Sequence, residues 1–138
     1  MNIDVNFHIK DDYSSENKIP LDYKLMNLAF INFFDNAIKY SKPDSKLDIN
    51  FEKNERGFVL DFSMMSLRIE HDELEKVFED GYSGKHATEE AGDGIGMHVI
   101  KKSLGMINIG IRVEPDYGVS ENYNGKKYIK NKFIFESK

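Results

Sequence analysis

Asn32 and Asn36 stand four residues apart in the run Asn32-Phe33-Phe34-Asp35-Asn36-Ala37-Ile38-Lys39-Tyr40-Ser41, and Lys39 follows three residues later. On a helix the three share one face, so two amides and one ammonium form a polar stripe on an otherwise apolar element. Asparagine is a poor helix former, and two of them at this spacing argue for a role other than helix stability. A solvent-facing stripe is the competing reading of these residues alone. The second signal is Gly92-Asp93-Gly94-Ile95-Gly96-Met97, directly before a helical pattern. Alternating glycines let backbone N–H groups turn toward a ligand without Cβ clashes, and the helix amino terminus adds partial positive charge. That makes a phosphate cradle, although three glycines also make an ordinary loop-to-helix junction. The spacing is neither the dinucleotide fingerprint nor a P-loop, since no strand directly precedes it and no Gly-Lys-Ser/Thr follows.

The elements that must position these groups follow from periodicity. Pro20 and Asp22 open a long helical pattern carrying Leu25, Leu28, Ile31, Phe34, Ala37 and Ile38, which residues 41–44 with Pro43 stop. Phe30, Phe33 and Phe34 on it read as core. The glycine run feeds a second helical pattern over residues 95–104. Between them, Leu47, Ile49 and Phe51 alternate as a strand, residues 54–57 turn, and Phe58, Leu60 and Phe62 alternate again, predicting a hairpin. Residues 70–78 predict a short acidic helix with a solvated face, and residues 80–93, with Gly81, Gly84 and Gly92, a long loop of the kind that is usually functional or mobile. Ile3, Val5, Phe7 and Ile9 predict a half-buried strand near the start. Residues 107–113 and 128–135 predict two more strands. No repeat or linker interrupts the pattern, so residues 1–138 read as one domain.

Composition sets the outer limits. A chain of 138 residues can bury a single sizeable core. Acidic residues outnumber basic ones 24 to 19, giving a net charge of −5, which argues against a nucleic-acid partner because phosphate neutralisation needs a basic face. Cysteine is absent, which excludes disulfides, thiolate nucleophiles and Cys-ligated zinc. The first ten residues lack the basic and apolar regions of a signal peptide, and no apolar run approaches the ~18 residues of a membrane span. A cytoplasmic domain without direct membrane insertion is expected, including as the cytosolic part of a membrane-anchored sensor.

Taken together, the Asn-rich helix, Val77-Phe78-Glu79, the glycine-bearing loop and the Gly-x-Gly-x-Gly helix start occur in an order that resembles the ATP-binding catalytic domain of sensor histidine kinases. That family lies in the superfamily shared with gyrase and a heat-shock chaperone. The resemblance covers roughly residues 20–135. It implies an α/β two-layer sandwich, with a mixed, mostly antiparallel sheet and about three helices on one face, the nucleotide lying between the helices under a lid at about 80–93. It further implies that Asn36 coordinates Mg²⁺ bridging the ATP phosphates and that Asn32, one turn earlier, faces them. Lys39 would contact a phosphate and Tyr40 would pack near adenine or ribose. Gly92, Gly94 and Gly96, with Met97 following, would cap the triphosphate, and Lys85 in the lid would add a further contact. Mg²⁺ keeps waters and phosphates in its shell, so one side-chain amide oxygen suffices. The implied partners are a His-containing dimerisation domain, absent from this chain, and a response regulator.

One segment departs from the family pattern. Where Asp-x-Gly-x-Gly is expected, with the Asp reading the adenine amino group, this chain has Met64-Met65-Ser66-Leu67-Arg68. A hydrogen bond to a charged acceptor contributes ~1.5–3 kcal/mol, so its loss weakens ATP binding roughly tenfold to a hundredfold unless Ser63 or Ser66 substitutes. The leading expectation is therefore a Mg-ATP-binding catalytic domain that presents the γ-phosphate to a histidine on a partner domain. The alternative is a degenerate nucleotide-binding fold retained as an interaction or regulatory module. A free-standing anti-sigma-type serine kinase shares the fold but fits the Asn-Ala-Ile-Lys-Tyr-Ser run less well.

Overall fold

A computed structural model describes residues 3–11, 22–55, 57–82, 85 and 95–138. Strand β1 (Asp4–Asp11) leads to helix α1 (Tyr23–Tyr40), then to strands β2 (Lys46–Asn54) and β3 (Gly57–Leu67). Two 3₁₀ turns (His71–Glu73 and Lys76–Phe78) and helix α2 (Ile95–Gly105) come next, and the hairpin of β4 (Ile109–Tyr123) and β5 (Lys126–Ser137) ends the order. The sheet runs β1-β2-β3-β5-β4. Only the β1–β2 pair is parallel among the described strands, and α1 lies in the crossover that a parallel pair requires. The mixed, mostly antiparallel sandwich expected from the sequence is the one observed.

Local chemistry explains where α1 begins and ends. Asp22 caps it, its carboxylate accepting from the backbone N–H groups of Lys24 at 2.9 Å and Leu25 at 3.2 Å. At the far end Ser41 leaves the helical region while its N–H still reaches the Ala37 carbonyl at 3.0 Å. Met26, Ala29, Phe33 and Ala37 form the buried stripe. Phe33 sits at its centre, its ring 4.5 Å from that of Phe62 on β3 and 5.6 and 5.2 Å from those of Phe133 and Phe135 on β5. Residues sharing the parity of Phe62 on β3 and of Phe133 on β5 therefore face the helix layer. From α2, the fully buried Ile100 and Leu104 join the same core.

Four expectations need correction. Phe34, expected in the core, is exposed on α1 beside the buried Phe33. The acidic segment is two single 3₁₀ turns rather than a helix, with Glu73 N–H bonding the Glu70 carbonyl at 2.9 Å and Phe78 N–H that of Glu75 at 3.3 Å. Nor is its face wholly solvated, because Glu73 turns inward and is 1% exposed. Strand β1 forms as expected, but Val5, Phe7 and Ile9 are exposed rather than half-buried, since α1 packs over β3 and β5 and not over this edge. The strand expected at residues 107–113 runs on to Tyr123, past Pro115 and through an irregularity between Asp116 and Ser120. It closes on Asn124 and Gly125, both at positive φ as a tight hairpin turn demands.

Candidate functional site

Asn36 lies on the flank of α1 that meets α2. Its amide packs so closely on Gly96 that a Cβ there would stand 3.0 Å from Asn36 Nδ2 and 3.1 Å from Oδ1. Gly96 is in the first turn of α2, where backbone N–H groups have no partner within the helix. The pairing therefore puts a side-chain oxygen beside the amino-terminal end of α2, the combination a cation-bridged phosphate needs. Met97, the next residue, is half-buried against the core.

One turn before Asn36, Asn32 is half-buried and donates from Nδ2 to the Leu28 carbonyl at 2.8 Å, which fixes its amide against its own helix. Lys39 occupies the same flank, exposed, with its ammonium 3.0 Å from the Asp35 carboxylate. Tyr40, at the last turn, is half-buried. Lys85 is tied elsewhere: its ammonium bonds both Asp72 oxygens at 2.7 and 2.9 Å, and its backbone N–H donates to Glu73 at 2.9 Å. Asp72 is held below the usual carboxylate range by that lysine, and Lys85 is raised by the same bond. Asn36 and Gly96 are thus brought together, and Asn32 and Lys39 share the Asn36 flank. Gly92 and Gly94 lie outside the described residues.

Sequence reasoning missed Glu73. Its carboxylate accepts from the Glu70 N–H at 2.8 Å, the Tyr82 hydroxyl at 2.6 Å and the Lys85 N–H at 2.9 Å. Burial alone would raise its pKa, but these bonds outweigh burial and the carboxyl titrates below its ordinary value. The hydrogen bond to Glu73 pushes the Tyr82 phenol up to about 12. Glu73 thereby pins Tyr82 and Lys85, two points just beyond the second 3₁₀ turn. Because its folded pKa is lowered, the stability it contributes is present above its unfolded value and is lost as pH falls through the folded one. For Tyr82 the sign is opposite: the contribution holds below pH ~10 and is lost as pH rises toward 12. Spectroscopic tyrosine titration should show a phenol ionising near pH 12 that returns toward ~10 in Glu73→Gln. A Glu73→Gln curve identical to that of the unaltered chain would dissolve this latch.

The departure at Met64 has a clear structural form. Met64 is 3% exposed on the helix-facing side of β3, with Leu47 and Asn131 as its cross-strand partners. Its sulfur takes only a weak 3.5 Å contact from the Ser41 hydroxyl. Ser63 points to the opposite face of the sheet, where it lines an open polar depression with Asp48 and Lys132.

Comparison with known proteins identifies the family and the fold. The profile of the histidine kinase-, DNA gyrase B- and HSP90-like ATPases matches residues 21–133, and the chain belongs to that family. The histidine protein kinase SaeS of Staphylococcus aureus (strain USA300) is 28% identical over 121 residues, covering 85% of this chain and 33% of SaeS. The chain spans about a third of the length of the curated relatives it matches. Among solved structures, the mycobacterial sensor histidine kinase MprB superposes with a TM-score of 0.67 at 20% identity, over 97% of this chain and 86% of that one. The nucleotide-free catalytic domain of the histidine kinase ThkA gives 0.68 at 18% identity, over 96% and 78%. At these identities the two structures establish a shared fold. Among the described residues no helix is long and apolar enough to cross a membrane.

Proposed function

We propose that this chain is the Mg-ATP-binding catalytic domain of a sensor histidine kinase, which presents the γ-phosphate to a histidine on a partner dimerisation domain in a relay that ends on a response regulator. The observation that carries this reading is the Asn36 amide seated on Gly96 at the start of α2. A scaffold has no need for an unbranched backbone there, whereas a triphosphate approaching both the amide and the free N–H groups of α2 does. Bound Mg-ATP supplies the transferable phosphoryl group, and the residues do the rest by position and charge. Asn36 offers Oδ1 to Mg²⁺, and Asn32 borders the phosphates. Lys39 and Lys85 exchange their carboxylate partners, Asp35 and Asp72, for phosphate oxygens. Both ion pairs are exposed, and such pairs cost little to break. Tyr40 packs beside the base or ribose, and Gly92, Gly94, Gly96 and Met97 close over the triphosphate.

Calorimetric titration with ATP and with GTP, each with and without Mg²⁺, tests this directly. The expected result is Mg-dependent ATP binding that exceeds GTP binding. A second reading, a nucleotide-free interaction module, rests on the buried Met64 where the family reads adenine. Absence of any heat at millimolar nucleotide would favour that module and reject the kinase domain.

A further inference from the structure

Asn131 is the one described residue whose buried side-chain oxygen has no hydrogen-bond partner. It lies on β5, wholly buried, two residues before Phe133 and so on the face turned toward the helices. Its Nδ2 donates to the Ser66 hydroxyl at 2.7 Å and to the Leu67 carbonyl at 3.2 Å. A carbonyl only accepts, so the nitrogen must face Leu67, and the amide cannot turn over to satisfy its oxygen. Buried acceptors are nearly always paired, and one that is not calls for an explanation. In register, Asn131 stands directly opposite Met64, where the resemblance to the sensor kinases places a base-reading aspartate.

We infer that Asn131 Oδ1 is the acceptor that reads the amino group of the adenine base in place of the missing carboxylate. The inference rests on the Mg-ATP reading above. Both serines that could have substituted are otherwise placed. Ser63 faces the far side of the sheet, and the Ser66 hydroxyl already accepts from Asn131, whereas Asn131 Oδ1 has no donor at all. Met64 neighbours Asn131 across the strands and is held at its sulfur only by Ser41. A methionine is unbranched, with three rotatable bonds, so its side chain can swing aside and uncover the oxygen as the base enters. The adenine amino group then gives Oδ1 the donor it lacks, while the bonds to Ser66 and Leu67 hold the amide rigid.

The test is calorimetric titration of the 138-residue chain with Mg-ATP and with the Mg complex of purine ribonucleoside triphosphate, which carries hydrogen in place of the amino group. The unaltered chain should prefer ATP about tenfold, the worth of one hydrogen bond to a buried acceptor. Asn131→Leu should bind both nucleotides equally, at the affinity the unaltered chain shows for the purine analogue. Equal affinity of the unaltered chain for the two, or a preference that survives in Asn131→Leu, would overturn the assignment while leaving the kinase-domain reading intact. Should Asn131→Leu not fold, the comparison on the unaltered chain decides alone. No binding of either nucleotide would overturn both readings together.

Discussion

Asn36→Ala will weaken Mg-dependent ATP binding about tenfold to a hundredfold, Gly96→Ala about tenfold, and the two losses will not add. Removing the Asn36 amide deletes the side-chain oxygen proposed to meet the cation. The glycine substitution acts through the same atom. A methyl group at residue 96 arrives 3.0 Å from Nδ2 and 3.1 Å from Oδ1, inside ordinary contact distance, so the amide must retreat from the amino-terminal end of α2. In an Asn36→Ala background nothing remains for that methyl to displace, and Gly96→Ala should then change affinity little. Stability separates this account from simple damage. Alanine is the better helix former by ~1 kcal/mol, so Gly96→Ala should melt no lower than the unaltered chain while binding nucleotide less well. Equal losses of affinity in both backgrounds would show that the two residues act independently.

Phe33→Ala will cost ~3–5 kcal/mol, a large part of the stability a domain of this size commands. The ring is 2% exposed and touches aromatic rings from α1, β3 and β5. No neighbouring backbone can close the space, because those rings belong to the same helix and to two hydrogen-bonded strands. Chemical denaturation should report the loss as a lower midpoint with an unchanged slope. The same substitution loosens the helix that carries Asn32 and Asn36, so nucleotide affinity should fall with it. Phe34, 38% exposed on the same helix, should cost far less as Phe34→Ala. Similar losses at the two positions would contradict the assignment of Phe33 as the central contact.

What could be read before the fold was known divides along a physical line. Asn32, Asn36 and Lys39 were legible because helical spacing alone decides which residues share a flank. Gly96 was legible as part of a run whose backbone freedom suits a phosphate cradle as well as an ordinary loop-to-helix junction. Its contact with Asn36 joins two helices far apart in sequence and could not be read locally. Glu73 was hidden for another reason. In an acidic stretch each carboxylate looks like its neighbours, and only the return of Tyr82 and Lys85 shows which one is buried. Asn131 gave no signal at all, since its meaning comes from the strand opposite. The second half of β4 was obscured by Pro115 and Gly118, which break the alternation without ending the strand. Asn124-Gly125 did carry a hairpin signal, and it outweighs that interruption.

The sheet order has a consequence for how the molecule comes into being. β5 is the last of the five strands in sequence, yet it lies between β3 and β4, pairing Val59 with Glu136 and Ile111 with Phe135. During synthesis β1, α1, β2 and β3 leave the ribosome with one side of β3 unpaired and with Phe33 and Phe62 lacking Phe133 and Phe135. Helix α1 cannot settle until β5 arrives between its neighbours. Such an order makes folding nearly all-or-none in time and leaves an apolar open edge on the nascent chain, the kind of surface that chaperones exist to shield.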